Sequence, residues 1–194
     1  MINLFGRLRF LFQLSSAHTI ARRYFVTNGF DGALTMLGLI IGFYSSNNVA
    51  IPVVINACLG AAIALGVSGL SSAYVSEIAE REKELKELEQ AVIDDLENTA
   101  HGRAARLTPL LIAAVNGLAP LLMALLIIAP LWLSEVGVVL PLPPLESSIL
   151  VAFLVLFLLG SFLGVVSGRF WLWSGLRMLI IALLTAGVIL LLGD

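Results

Sequence analysis

The sequence predicts an all-α integral membrane protein with five transmembrane helices per protomer and a second helix extended into the cytoplasm. Three observations carry that prediction. Of 194 residues, 59% are hydrophobic and 12% charged, with a mean hydropathy of +1.02; soluble domains carry about 25% charged residues. Five segments are long and apolar enough for a bilayer core, which takes about 20 helical residues. The 11 Lys and Arg residues are spaced so that five crossings put all of them on one side.

Residues 1–20 are expected to form an amphipathic interfacial helix, not a cleaved leader. Leu4, Phe5, Leu8, Leu11 and Phe12 share one face of 2–16, while Arg7 and Arg9 can snorkel toward headgroups. Gln13 breaks the apolar run before any small-residue cleavage site. The first two crossings fall within 21–75. One runs over about 24–46; the other starts after Asn47-Asn48, a suitable N-cap with Pro52 in the first turn, and ends near Val75. Residues 76–106 form a short acidic segment. The remaining crossings, within 107–194, cover about 107–133, 147–168 and 172–192. Trp132, Trp171 and Trp173 stand near span ends, where aromatic belts belong. Leu140-Pro141-Leu142-Pro143-Pro144 is a stiff connector that cannot continue a helix.

Charge sets the expected orientation. Arg7, Arg9, Arg22 and Arg23 precede the first span; Arg81, Lys83, Lys86, Arg103 and Arg106 separate the second from the third; Arg169 and Arg177 mark the junction of the fourth and fifth. The positive-inside rule then puts the N-terminus in the cytoplasm and the C-terminus outside or in a lumen.

One carboxylate interrupts the first span. Asp31 lies about 12 Å along the helix from Arg23, where an acid costs about 2.5–3.5 kcal/mol on insertion scales. It therefore faces a partner, a cavity or a cation; the plainer alternative is a polar partner on a neighbouring helix. Small and polar residues recur every three or four positions. Asn28, Asp31, Thr35, Gly38, Gly42 and Ser45 do so on the first span, and Asn56, Gly60, Ala64, Ser68 and Ser71 or Ser72 on the second. Asn116, Pro120 and Met123 follow on the third, Gly160, Gly164 and Gly168 on the fourth, and Met178, Ala182 and Thr185 on the fifth. For the glycines this reads first as close helix packing. For Asn28, Asp31, Thr35 and Asn116, packing and a lined pathway are both open, since each brings a polar group that must be satisfied.

The segment 76–106 has nine acidic and five basic residues, and Ser76–Glu89 contains no Gly or Pro, so the second helix should run on. Two readings compete. Ile78, Leu85, Leu88 and Val92 form an apolar stripe, with Glu77/Arg81 and Glu82/Lys86 as favourable i,i+4 pairs, as on a solvated helix that docks on a neighbour. Alternatively, Glu77, Glu80, Glu84 and Glu87 fall within an arc of about 80°, which Asp94 and Asp95 prolong. Such carboxylates suit hard divalent cations, Mn2+ first and Fe2+ next, and an acidic excess beside a pore mouth concentrates cations. His101 joins such a site only if a turn near Gly102 brings it back; His18 stands far from it in sequence.

Other chemistries find little footing. Cys58 is the only cysteine, so an intrachain disulfide and a thiolate zinc cluster are excluded. There is no nucleophile–base pair, phosphate loop or His-rich site, so an enzyme is not expected, nor is a cofactor or a nucleic-acid partner.

The block Ala21-Arg22-Arg23-Tyr24-Phe25-Val26-Thr27-Asn28-Gly29-Phe30-Asp31-Gly32-Ala33-Leu34-Thr35 resembles the first-helix motif of the vacuolar iron transporter family, in its short prokaryotic, archaeal-type form. The likeness continues at Ala73-Tyr74-Val75-Ser76-Glu77, Gly117-Leu118-Ala119-Pro120 and Gly175-Leu176-Arg177-Met178-Leu179, covering nearly the whole chain from residue 21. The resemblance implies a homodimer of five-helix protomers in a prokaryotic cell membrane. It also implies export of Fe2+, often Mn2+, from the cytosol in exchange for protons. Asp31 would be metal ligand or proton carrier, and the segment from Glu77 the cytoplasmic metal-binding region. Two departures stand out. Ala73 and Gly69 occupy the places of an acidic residue and a methionine on the second helix, and the cytoplasmic segment is much shorter than a full three-helix domain.

The expected function is thus divalent metal transport through a path between protomers, lined by Asp31, Asn28, Thr35, Asn116 and Met123, with Asp31, Glu77, Glu80, Glu84 and Glu87 as metal ligands. Burial favours a protonated carboxyl and a bound cation the ionised form, so protons and metal can exchange at one residue. The alternative is a non-transporting membrane scaffold whose charged cytoplasmic helix mediates dimerisation or partner binding.

Overall fold

The computed structural model describes residues 17–46, 49–92 and 99–193. The expected interfacial helix over 2–16, the Asn47-Asn48 cap, and Asp94 and Asp95 lie outside the described residues, as do the side chains of His18 and His101. What is described is five α-helices without a strand: α1 Ala17–Ser45, α2 Ile51–Val92, α3 Ala100–Glu135, α4 Pro144–Val166 and α5 Trp171–Gly193. All five are long and apolar enough to cross a membrane.

Local chemistry explains the helix limits. α1 starts well before the expected residue 24, so Arg22 and Arg23 ride on the helix, and the Arg23 guanidinium sits 5.6 Å from the Tyr24 ring centre. α2 runs for 42 residues because nothing after Gly69 breaks it; at about 1.5 Å per residue it is about 63 Å long, twice a hydrocarbon core of about 30 Å. α3 stays helical through Pro109, Pro120 and Pro130, although each proline removes one i→i−4 bond. Pro143, at φ −52° and ψ 149°, caps α4, and Pro144 opens it with its φ already set for a helix. Glu146 in the first turn complements the helix dipole.

The end of α4 corrects one sequence expectation. By spacing Gly168 continues the packing stripe of Gly160 and Gly164, but it adopts φ +67° beyond the helix. Its N–H donates to the Val165 carbonyl at 3.2 Å, and the Arg169 N–H donates to the Gly164 carbonyl at 2.9 Å. This pair of bonds is a Schellman motif, which needs a left-handed residue in the Gly168 position. Gly168→Ala should cost about 1 kcal/mol, the penalty for a Cβ in that region, read as a lowered unfolding midpoint in detergent.

By contacts the chain forms two compact units. One takes the described parts of Met1–Phe25 and Gly66–Leu118; the other takes those of Val26–Leu65 and Ala119–Asp194. In the first, Ala73, Ile112 and Ala113 are buried, with Thr108, Asn116, Glu77 and Arg81 as buried polar groups. In the second, Met36, Leu37, Ile40, Val54, Cys58, Ile127, Ile128, Leu131 and Leu156 are fully buried. There α4 and α5 pack closely through glycine, as the small-residue pattern predicts. A Cβ on Gly160 would meet the Met178 side chain at 2.5 Å and the Ser174 carbonyl at 2.9 Å. One on Gly175 would meet Ser161 Oγ at 2.5 Å and the Phe157 ring at 2.6 Å. Gly42 and Gly60 have open space instead, so packing does not explain every glycine of the stripes.

Candidate functional site

The packing of α1 decides where Asp31 points. A Cβ on Gly32 would lie 2.6 Å from Pro120 Cα, and one on Gly29 would lie 3.4 Å from Met123 Cγ, so these two glycines face α3. Ala33, Met36, Leu37 and Ile40 are buried on the same side. At about 100° per residue, Asp31 falls nearly opposite that arc, and it is exposed. No described basic side chain forms an ion pair with it. Beside it lies a pocket of about 180 Å³, lined by Val26, Thr27, Phe30 and Asp31 of α1, Leu159, Gly160 and Leu163 of α4, and Met178 of α5.

The pocket sorts the expected path residues. Asp31 lines it; Asn28 and Thr35, both half-buried, flank Asp31 on α1. The Thr35 hydroxyl donates to the Asp31 backbone carbonyl at 2.7 Å, so its proton is spent on its own helix. Met123 is buried near Gly29 and does not line the pocket; Met178 does, with Thr27. A thioether and a carboxylate at one pocket make a mixed soft and hard donor set. Of the two methionines, the structure thus brings Met178 and not the expected Met123 to Asp31. The signal was present, since Met178 belongs to the block Gly175-Leu176-Arg177-Met178-Leu179.

Asn116 belongs to the other unit and is engaged there. Its side-chain amide donates to the Gly69 carbonyl at 2.6 Å. Pro120 has no N–H to give the Asn116 carbonyl, and a Cβ on Gly69 would stand 3.0 Å from that oxygen, so Gly69 turns a Cα–H toward it. Gly117 approaches the Gly66 carbonyl still more closely, at 2.6 Å from its would-be Cβ. The crossing of α2 and α3 sets what Gly69 and Ala73 can do. Gly69 is where the helices meet, and Ala73 is only 3% exposed, so neither position has room for a ligating side chain.

The acidic arc on α2 is real but not free. Glu77 is buried and Glu80, Glu84 and Glu87 are exposed. Arg81 binds two of them, reaching Glu77 at 3.3 Å and Glu84 at 2.6 Å, and Lys83 stands 3.9 Å from Glu87. Among the described residues no three His, Cys, Asp or Glu side chains gather in a group that could hold a metal ion. The expected Glu77/Arg81 pair is thus present, and Arg81 also takes Glu84, one of the expected metal ligands. On a helical wheel Arg81 falls about 40° from Glu77, so its place at the edge of the arc was readable. Arg81→Met should cost about 2 kcal/mol, since a buried charge-assisted hydrogen bond is lost and Glu77 is stranded. Adding Glu77→Gln should restore part of it, as a double-mutant cycle on unfolding midpoints would show.

The comparisons with known proteins name no function. No family model matches the chain, and no solved structure matches it. The chain is similar to an uncharacterized protein of Methanocaldococcus jannaschii, 29% identical over 168 residues that cover 84% of each chain.

Proposed function

We propose that this chain is a multi-pass membrane transporter of divalent metal, akin to the vacuolar iron transporter family. In this reading it works as a homodimer in a prokaryotic cell membrane, with the N-terminus cytoplasmic and the C-terminus outside, and moves Fe2+ or Mn2+ out of the cytosol in exchange for protons. The observation that carries it is Asp31: a carboxylate with no ion pair among the described residues, exposed on an apolar helix beside a pocket that also holds a thioether. In a bilayer such a group cannot rest against lipid at low cost. A second copy covering it would turn this open surface into a lined path.

Two further features support the reading. Large apolar side chains are exposed along α2, α3, α4 and α5, to 81% at Leu191 and 82% at Leu192, as lipid contact requires. The second-span stripe of Asn56, Gly60, Ala64, Ser68, Ser71 and Ser72 is also exposed, and polar groups within a bilayer call for a helix partner. Cations would gather at the acidic excess of Glu77, Glu80, Glu84 and Glu87 on the part of α2 that outruns the hydrocarbon. With Glu77 and Glu84 held by Arg81, that face works as a collecting field more than as a closed site. The Arg81 pairs are also what a scaffold helix needs, and this favours the scaffold as the second reading.

Liposomes carrying the purified chain should take up Mn2+ well above empty liposomes, and calorimetry should record Mn2+ binding that Glu80→Gln with Glu87→Gln weakens. A scaffold predicts neither uptake nor heat.

A further inference from the structure

The junction of α4 and α5 carries a second, separate feature. A cleft of about 590 Å³ is lined by Arg169, Phe170, Trp173, Ser174 and Arg177. No described carboxylate pairs with either arginine. None is near in sequence either: between Glu135 and Asp194 the only acidic residue is Glu146, in the first turn of α4 and so at its opposite end. The Schellman turn fixes the backbone of Arg169, and α5 has no acidic residue in its first turn, which leaves the positive end of its dipole uncompensated. Phe170 and Trp173 in the cleft are exposed, as are Trp171, Leu172 and Leu176 in the first turns of α5 and Phe162 in the last turns of α4.

We infer that this cleft binds the headgroup phosphate of an anionic phospholipid. Two guanidinium forks match a phosphate in charge and geometry. The aromatic rings match the headgroup level of a bilayer, and the adjoining apolar helix surface receives acyl chains. A soluble anion uses only the first of these features; a phospholipid uses all three. The inference rests on the membrane-spanning part of the reading above and not on metal transport, so its test contains no metal.

Native mass spectrometry of the full chain, in micelles holding equimolar phosphatidylglycerol and phosphatidylcholine, reads the preference directly. Each arginine beside an anionic headgroup is worth roughly fivefold, so wild type should retain phosphatidylglycerol about 25-fold over phosphatidylcholine. R169Q with R177Q should bring the ratio near one, and R169K with R177K, which keeps both charges, should hold it above about tenfold. Equal retention of the two lipids by wild type would overturn the assignment without any variant being needed. So would a preference that survives the Gln pair or is lost in the Lys pair. Displacement of phosphatidylglycerol by an equal concentration of inorganic phosphate would give the cleft to a soluble anion instead.

Discussion

Asp31→Leu is expected to abolish metal uptake while making the protein easier to insert and harder to unfold. The two effects have separate origins. An aspartate at the centre of a spanning helix costs about 2.5–3.5 kcal/mol on insertion scales, whereas leucine contributes about −0.3 to −0.6 kcal/mol. The Asp31 side chain shows no described ion pair whose loss would offset that gain. Transport should fall the other way. Outer-shell partners of a metal ligand already cost about tenfold to a hundredfold when removed, so losing a ligand in the path should cost at least about a hundredfold in uptake rate. A residue retained for structure behaves oppositely, since its replacement destabilises the fold and uptake falls only as folded protein is lost. Initial rates of Mn2+ uptake set beside unfolding midpoints separate the cases, and Asp31→Asn, nearly isosteric, should lose uptake as well.

Gly32→Val is the second large effect, this time on the fold. The added Cβ would sit 2.6 Å from Pro120 Cα, 2.8 Å from its Cβ and 2.8 Å from its carbonyl oxygen. Two of those three atoms are backbone, so no rotamer change relieves the clash and α1 must move off α3. Overpacking of this kind costs about 3 kcal/mol. Gly187→Ala is the matched control: its Cβ meets nothing within 4 Å, and alanine in place of a helical glycine stabilises by about 0.5–1 kcal/mol. Thermal unfolding of both variants in one detergent should move the midpoints in opposite directions. Because Gly32 follows Asp31 directly, Gly32→Val should also impair uptake, but in proportion to the folded protein lost.

The helices were legible from the sequence because hydropathy reports them without reference to tertiary contacts. All five expected crossings lie within the observed helices apart from end residues, and the run-on of α2 followed from the lack of Gly and Pro after Gly69. The turn at Gly168 was less legible. Its four-residue spacing from Gly164 imitates a packing stripe, and only the two carbonyl bonds reveal a helix end. Asp31 stood out as a charge in an apolar run, whereas its exposure depends on Gly29 and Gly32 turning toward α3, which one helix alone cannot disclose. Met123 and Met178 were equivalent as residue types, and what parts them is that α4 and α5 pack through Gly160 against Met178. The i,i+4 spacing of Glu77 and Arg81 discloses one ion pair, but Arg81 also reaches Glu84 at i,i+3, and spacing alone does not rank the two. Arg169 and Arg177 served only to orient the chain, because a cleft between two helix ends has no signature in sequence.

The central claim is that Asp31 meets the transported cation where two copies of the chain come together. A crystal structure of the protein soaked in Mn2+, with anomalous differences used to locate the metal, tests it most directly. An anomalous peak is expected within coordination distance of the Asp31 carboxylate, at a site that a second copy completes. Peaks confined to the exposed glutamates of α2, with Asp31 turned to lipid and no metal beside it, would contradict it.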